Sequence, residues 1–216
     1  MIDIGVNLSS KRFKGDVADV LTRAVDANVL QMVLTGTSVD ESRAVLSICE
    51  EYSDQFPSML FATCGIHPHG ALSFNTQRLD GLRELGQHPQ MVAIGEAGLD
   101  FNRNLSPAAA QEACFEAQLE LAAELQLPLF LHERDAAKRQ LEILKSYRDE
   151  FNEAVVHCFT GDRKTLFSYL DMDLHIGITG WICDERRGQE LQSLAKNIPL
   201  QRLMICLLYT SPSPRD

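Results

Sequence analysis

Apolar, β-branched-rich runs recur along the chain about every 25–35 residues, the spacing of successive strand–helix units. They fall at residues 2–8, 29–35, 60–67, 91–99, 127–132, 154–158, 174–178 and 203–205. The runs are nearly continuous in apolar character, as expected of parallel strands covered on both faces. Between them the pattern changes to a helical period. Val17, Val20, Leu21, Ala24 and Val25 make one stripe at i, i+3, i+4, i+7 and i+8. Ser38-Val-Asp-Glu41 reads as a capping box opening a second helix that carries Ala44, Val45 and Ile48. Ser106-Pro107 reads as an N-cap followed by a first-turn proline, opening a long helix that stops before Pro128. Eight strands with seven helices between them predict an α/β fold of the (β/α)₈ TIM-barrel kind. An open doubly wound sheet is the poorer match, because no Gly-rich phosphate fingerprint follows the first strand.

A barrel of this kind usually takes about 250 residues. Here the eighth run is followed only by a Ser/Pro-rich tail, which cannot form a closing helix. The expectation is a barrel domain over residues 1–205 with its last helix missing, and a non-native tail over residues 206–216.

Composition narrows the setting without naming a chemistry. The 216 residues are 45% hydrophobic and 23% charged, ordinary for a globular domain. The apolar runs are strand-sized, so no membrane-spanning helix is expected. Met1 leads straight into Ile2-Asp3-Ile4 with no basic segment, apolar signal core or cleavage site, which predicts a cytoplasmic protein. Six scattered cysteines without a C-x-x-C pair read as buried free thiols. A net charge of −10 argues against broad phosphate-neutralising contact, though not against a phosphate met locally by a cation and a few arginines.

The chemistry-bearing residues sit where apolar runs give out. Glu96, His132 and His157 fall late in the fourth, fifth and sixth runs, and a carboxylate with two imidazoles from consecutive strand ends suits a divalent metal with open positions. Their bland reading is a cap or polar core layer. On the first run, Asp3 and Asn7 offer oxygen donors for a hard cation such as Mg²⁺ or Mn²⁺; Asn7 equally suits a turn before Ser9 and Ser10. His67, at the rim of the third run, reads as an acid/base group or phosphate contact, and His69, past Pro68, as solvated loop. Arg134, two residues beyond His132, and Arg186 with Arg187 after the seventh run, are candidates for holding phosphate. For the arginine pair the alternative is a solvated, mixed-charge helix start. No Gly-x-Ser-x-Gly elbow is present.

The strings Asp3-Ile-Gly-Val-Asn-Leu8, Gly65-Ile-His-Pro-His69, Gly95-Glu-Ala-Gly-Leu-Asp-Phe101, His132-Glu-Arg-Asp135, His157-Cys-Phe-Thr-Gly161 and Gly177-Ile-Thr-Gly-Trp-Ile-Cys-Asp-Glu-Arg-Arg-Gly188 resemble the TatD family of metal-dependent deoxyribonucleases. The similarity runs in the family's order over residues 1–205. It implies an amidohydrolase-like TIM barrel with Glu96, His132 and His157 on the ligands of a divalent metal. Glu96 and His67 are the expected catalytic groups, and Mg²⁺ is the expected ion, with Mn²⁺ or Zn²⁺ next. The resemblance also implies a 3′–5′ exonuclease acting on the 3′ ends of single-stranded DNA or RNA in repair or degradation, and a monomer is expected. Two departures stand out. Many members carry His-x-His where this chain has Gly5 and Asn7, and the family's Glu-[Thr/Ser]-Asp-Ala-Pro after the eighth strand is replaced by a string beginning at Cys206. The alternatives are a C–N or ester hydrolase on the same barrel, or a non-catalytic remnant.

Overall fold

The computed structural model describes residues 1–185 and 188–206. Eight strands are joined by seven helices in strict alternation: β1 Ile2–Val6, α1 Val17–Asp26, β2 Gln31–Leu34, α2 Val39–Glu51, β3 Leu60–Cys64, α3 Thr76–Gly86, β4 Met91–Asp100, α4 Ala108–Leu125, β5 Leu129–Arg134, α5 Ala137–Ser146, β6 Ala154–Val156, α6 Arg163–Asp171, β7 His175–Ile178, α7 Gln189–Ala195 and β8 Leu203–Ile205. Every strand pairs in parallel with its neighbour in sequence, in the order β1 to β8. The sheet curls until its edges meet: the Cys206 thiol, just past β8, lies 3.9 Å from the Gly5 carbonyl oxygen of β1. The expected TIM barrel is therefore present through its eighth strand, and each apolar run corresponds to a strand.

Strand alternation divides the apolar residues into two layers. Leu129, Leu131, Ala154, Val156 and Ile94 face outward into one large cluster shared with Leu21, Val45, Leu82, Phe115, Leu144, Leu166 and Tyr169 of the helices. The residues between them, Ala93, Phe130 and Val155, face inward and meet Ile4 and Met204 in a much smaller cluster. That inner plug is the floor on which the strand-end side chains stand.

Local signals were followed with three amendments. Ser38 caps α2 as expected, its Oγ accepting the Glu41 N–H at 3.1 Å. The Glu41 carboxylate does not reach back to the cap; it accepts from the Ser9 hydroxyl, so half of the capping box ties β1's exit loop to α2. On α1, Leu21 and Ala24 are buried but Val25 is 49% exposed, because it lies at the edge of the stripe. Ser106 caps nothing. Its hydroxyl donates to the His69 carbonyl at 2.9 Å and accepts the Leu72 N–H at 3.2 Å, and α4 begins at Ala108 with Pro107 outside it.

Candidate metal centre

The site is built around a defect in β4. Opposite β5, Gly95 pairs with Phe130 and Ala97 with Leu131, so Glu96 has no partner and is the extra residue of a bulge. Bulges re-aim side chains, and this one delivers the Glu96 carboxylate, 6% exposed, into the barrel mouth. Gly98 then pairs with His132. Its φ is +136°, and a Cβ there would sit 2.0 Å from the His132 carbonyl oxygen, so only glycine permits the approach. Because His132 lies opposite Gly98, its ring falls between Glu96 and Asp100 and touches both. Nδ1 is 2.9 Å from Glu96 Oε1, and Nε2 is 3.3 Å from Asp100 Oδ2.

Neighbouring strands add three more imidazoles. His157, immediately after β6, puts Nε2 at 2.6 Å from the same Glu96 Oε1, while its ring stacks on Phe130 of the inner plug at 4.5 Å between centroids. His67, three residues beyond β3, places Nε2 at 3.6 Å from Glu96 Oε1. His69 reaches over from the same loop, its Nε2 at 2.7 Å from Asp100 Oδ2. One carboxylate oxygen is thus faced by three imidazoles, and a second carboxylate, Asp100, braces one of these, His132, together with His69. On the far side of His157, Cys206 Sγ stands 4.0 Å from Nδ1, and Cys158 lies close by.

The electrostatics follow from that crowding. Burial would raise the Glu96 pKa, but the His157 and His67 charges and the hydrogen bonds from His132 and His157 hold it well below the ordinary carboxylate value. Burial opposes protonation of His157 as well, yet the Glu96 charge and its hydrogen bond win and lift it to about 10. His132 rises for a similar reason: burial works against it, and Asp100 and Glu96 outweigh the burial. His67 goes the other way, to about 4, because its burial is not offset by so close a carboxylate. The two carboxylates thus favour the protonated form of His132 and His157, and a cation held here would compete with those protons, since imidazole binds metals only when neutral.

The donor set fits a divalent metal. The ligand atoms of His67, Glu96 and His132 lie within 4.8 Å of one another at the barrel's C-terminal mouth. His157 completes the group through the shared Glu96 oxygen. Asp100 on His132 Nε2 leaves Nδ1 facing Glu96, the carboxylate–histidine bracing that orients ligands in metal sites.

The other expected residues are distributed less simply. Asp3 lies near the start of β1, not at its end. It is buried, and Oδ1 accepts the Gly5 N–H at 3.1 Å. Asn7 is exposed, and its Oδ1 accepts from the Ser9 hydroxyl at 3.1 Å. Arg134 lies on the same face of β5 as Phe130 and His132, with no ion pair among the described residues. Arg186 and Arg187 lie outside the described residues. Two members of the site escaped the sequence reading. His69 looked like loop past a proline, yet that proline opens a short 3₁₀ turn, Pro68–Ser73, that swings it back onto Asp100. Asp100 itself had a legible signal: it stands four residues after Glu96 on one strand, hence on the same face.

The TatD related DNase family matches this sequence over residues 2–205. The chain belongs to that family. Among TatD relatives, the 3′-5′ ssDNA/RNA exonuclease TatD of Rahnella sp. is 50% identical across the whole chain, which spans 81% of the relative. The crystal structure of a hydrolase TatD family protein from Entamoeba histolytica superposes with a TM-score of 0.88 at 27% identity, over 96% of this chain and 73% of that one. A TatD homologue from Escherichia coli does so with a TM-score of 0.86 at 26% identity, over 96% and 78%. Among the described residues, no helix of this TatD family chain is long and apolar enough to cross a membrane.

Proposed function

We propose that the chain is a divalent-metal-dependent phosphodiesterase that removes nucleotides from the 3′ ends of single-stranded DNA or RNA. The observation that carries the reading is the convergence of His67, His132 and His157 on one oxygen of buried Glu96. It is joined by family membership and by the activity named for the Rahnella relative. Glu96, His132, His157 and His67 would hold the cation. When bound, it supplies Lewis-acid polarisation of a phosphoryl oxygen and makes water acidic enough to give a nucleophile near neutral pH.

The remaining work falls to the protein's own groups. Asp100 keeps the His132 ring turned toward Glu96, and His69 shares that carboxylate. His67, whose pKa burial pushes down to about 4, would meet the cation as a neutral imidazole. Arg134 projects from the same strand face as His132 and is placed to pair with a phosphate by its bidentate fork. Arg186 and Arg187 are proposed to hold phosphates further along the strand. With a net charge of −10, recognition would rest on the backbone and a free end, not on base edges.

Three imidazoles and one carboxylate suit Mn²⁺ or Zn²⁺ at least as well as Mg²⁺, which prefers oxygen donors. The deciding test uses single-stranded oligonucleotides labelled at either end. Mononucleotides should leave from the 3′ end, cleavage should stop with EDTA, and it should return with Mn²⁺ or Mg²⁺. Cleavage that survives exhaustive chelation overturns the metal reading, and release from the 5′ end overturns the polarity.

A further inference from the structure

We propose that Gln118 and Gln111, two buried residues of α4, are positioning residues that set the spacing of the cation-holding groups by clamping the backbone of β3 and β4 beyond the end of their ladder. The inference rests on the reading of the strand-end cluster as a cation site.

The parallel ladder between β3 and β4 stops at Cys64 opposite Ile94, but β4 runs on to Asp100. From there the site-bearing backbone has no strand neighbour on one side. Phe101 donates to the Arg134 carbonyl of β5, so the peptide groups of Asp100 point away from β5, into the space β3 has vacated. Ile66, the residue before His67, is likewise past the end of β3. Buried backbone groups in such positions must find partners elsewhere.

Side-chain amides of α4 supply them. Gln118 accepts the Ile66 N–H at 2.8 Å and donates to the Ile66 carbonyl at 3.0 Å. Gln111 accepts the Asp100 N–H at 2.8 Å and donates to the Asp100 carbonyl at 3.1 Å, with a further bond to the Ser106 carbonyl at 2.7 Å. Both side chains are 0% exposed. They are seven residues apart, two helical turns, and so share one face of α4. Each mimics one residue of a missing strand. A side-chain amide carries the donor and the acceptor this needs on two separate atoms; a carboxylate accepts only, and an apolar side chain does neither.

The consequence is geometric. Gln118 fixes the residue beside His67, and Gln111 fixes the residue whose carboxylate braces His132 and His69. A single rigid helix therefore sets how far β3's exit stands from β4's, and with it the approach of His67 to Glu96. Gln140 of α5 differs: its Oε1 accepts the Leu99 N–H at 2.9 Å, but its Nε2 has no partner among the described residues, so there it is a one-point contact.

The test is Mn²⁺ binding to the chelated full chain by isothermal titration calorimetry, for wild type, Gln118→Met and Gln111→Met. Methionine keeps the volume and removes both hydrogen-bonding functions. Loss of an outer-shell orienting partner weakens metal binding by about 10–100-fold, and each variant should do so while binding one equivalent and melting cooperatively. The kcat on a short oligonucleotide at saturating Mn²⁺ should fall with the affinity, while KM changes little. A lower melting temperature with unchanged Mn²⁺ affinity and kcat would make the glutamines merely structural and overturn the inference. Wild type that binds no Mn²⁺ would instead overturn the cation-site reading beneath it. Should the variants not fold, amide hydrogen exchange in the wild-type protein decides. Ile66 and Asp100 N–H groups protected as strongly as mid-strand amides support the clamps, and their rapid exchange sinks them.

Discussion

The two faces of the barrel wall follow different rules. Outward, the strands present Leu131, Val156, Ile94 and their neighbours to seven helices in one continuous apolar layer. Inward, there is only the small plug around Phe130. Above it stand Glu96, Asp100, His67, His132 and His157, buried or nearly so and held by one another. The outer layer is stabilised by removing apolar surface from water, at about 25 cal/mol per Å². It tolerates any well-packed solution. The inner mouth gathers charge at a desolvation cost and is held by specific hydrogen bonds, so its geometry matters at the scale of tenths of an ångström. Stability resides in the first region and chemistry in the second.

That division can be broken by substitution, and the largest effect should come from the apolar layer. Leu21→Ala, at a fully buried position of α1, should cost about 2–5 kcal/mol by chemical denaturation and leave kcat per folded molecule unchanged. A matching loss of kcat would mean that the outer layer also shapes the site. Glu96→Gln keeps the volume but removes the charge on which three imidazoles converge. Cleavage should fall by about 100-fold or more, roughly 2.7 kcal/mol, with circular dichroism unaltered; near-wild-type turnover would remove Glu96 from the centre. Asp100→Asn should weaken Mn²⁺ affinity by about 10–100-fold, as outer-shell changes do, without abolishing binding, and an unchanged affinity would show that His132 needs no brace.

The smallest effect should come from a surface cap. Asp162 accepts the Thr165 N–H at 2.8 Å at the start of α6, and that bond, with the helix's first-turn amides, holds its pKa below the usual 3.8. Asp162→Ala should cost about 0.5–2 kcal/mol. Because the folded-state pKa is the lower one, the contribution is present above pH 3.8 and is lost as pH falls through the folded value. Equal stability differences at pH 7 and at pH 2 would refute the cap.

Much of the fold was legible because the wall has apolar neighbours on both sides. A strand buried on both faces reads as a continuous apolar run whatever its partners, and amphipathic helices read by their stripe. All eight strands and seven helices correspond to such runs. What misled was local chemistry with competing partners. Ser106 has the residue type of a cap and instead ties down the loop carrying His69, and Glu41 prefers Ser9 to its own helix start. Neither choice is visible without knowing which loop lies alongside.

For the site, the sequence by itself offered the residue types, their place in the later part of strand-sized runs, and the family that uses them. Glu96, His132, His157 and His67 stood out as candidates because each is a polar residue late in an apolar run. Only the tertiary structure decided which oxygen they share, that Asp100 and His69 form a bracing layer, and that Gln111 and Gln118 stand in for a strand that ends early. The reason is physical. Periodicity reports how a residue relates to its own element, whereas a bulge at Glu96, a glycine that lets β5 approach, and amides crossing between α4 and the strand ends are relations between elements far apart in sequence.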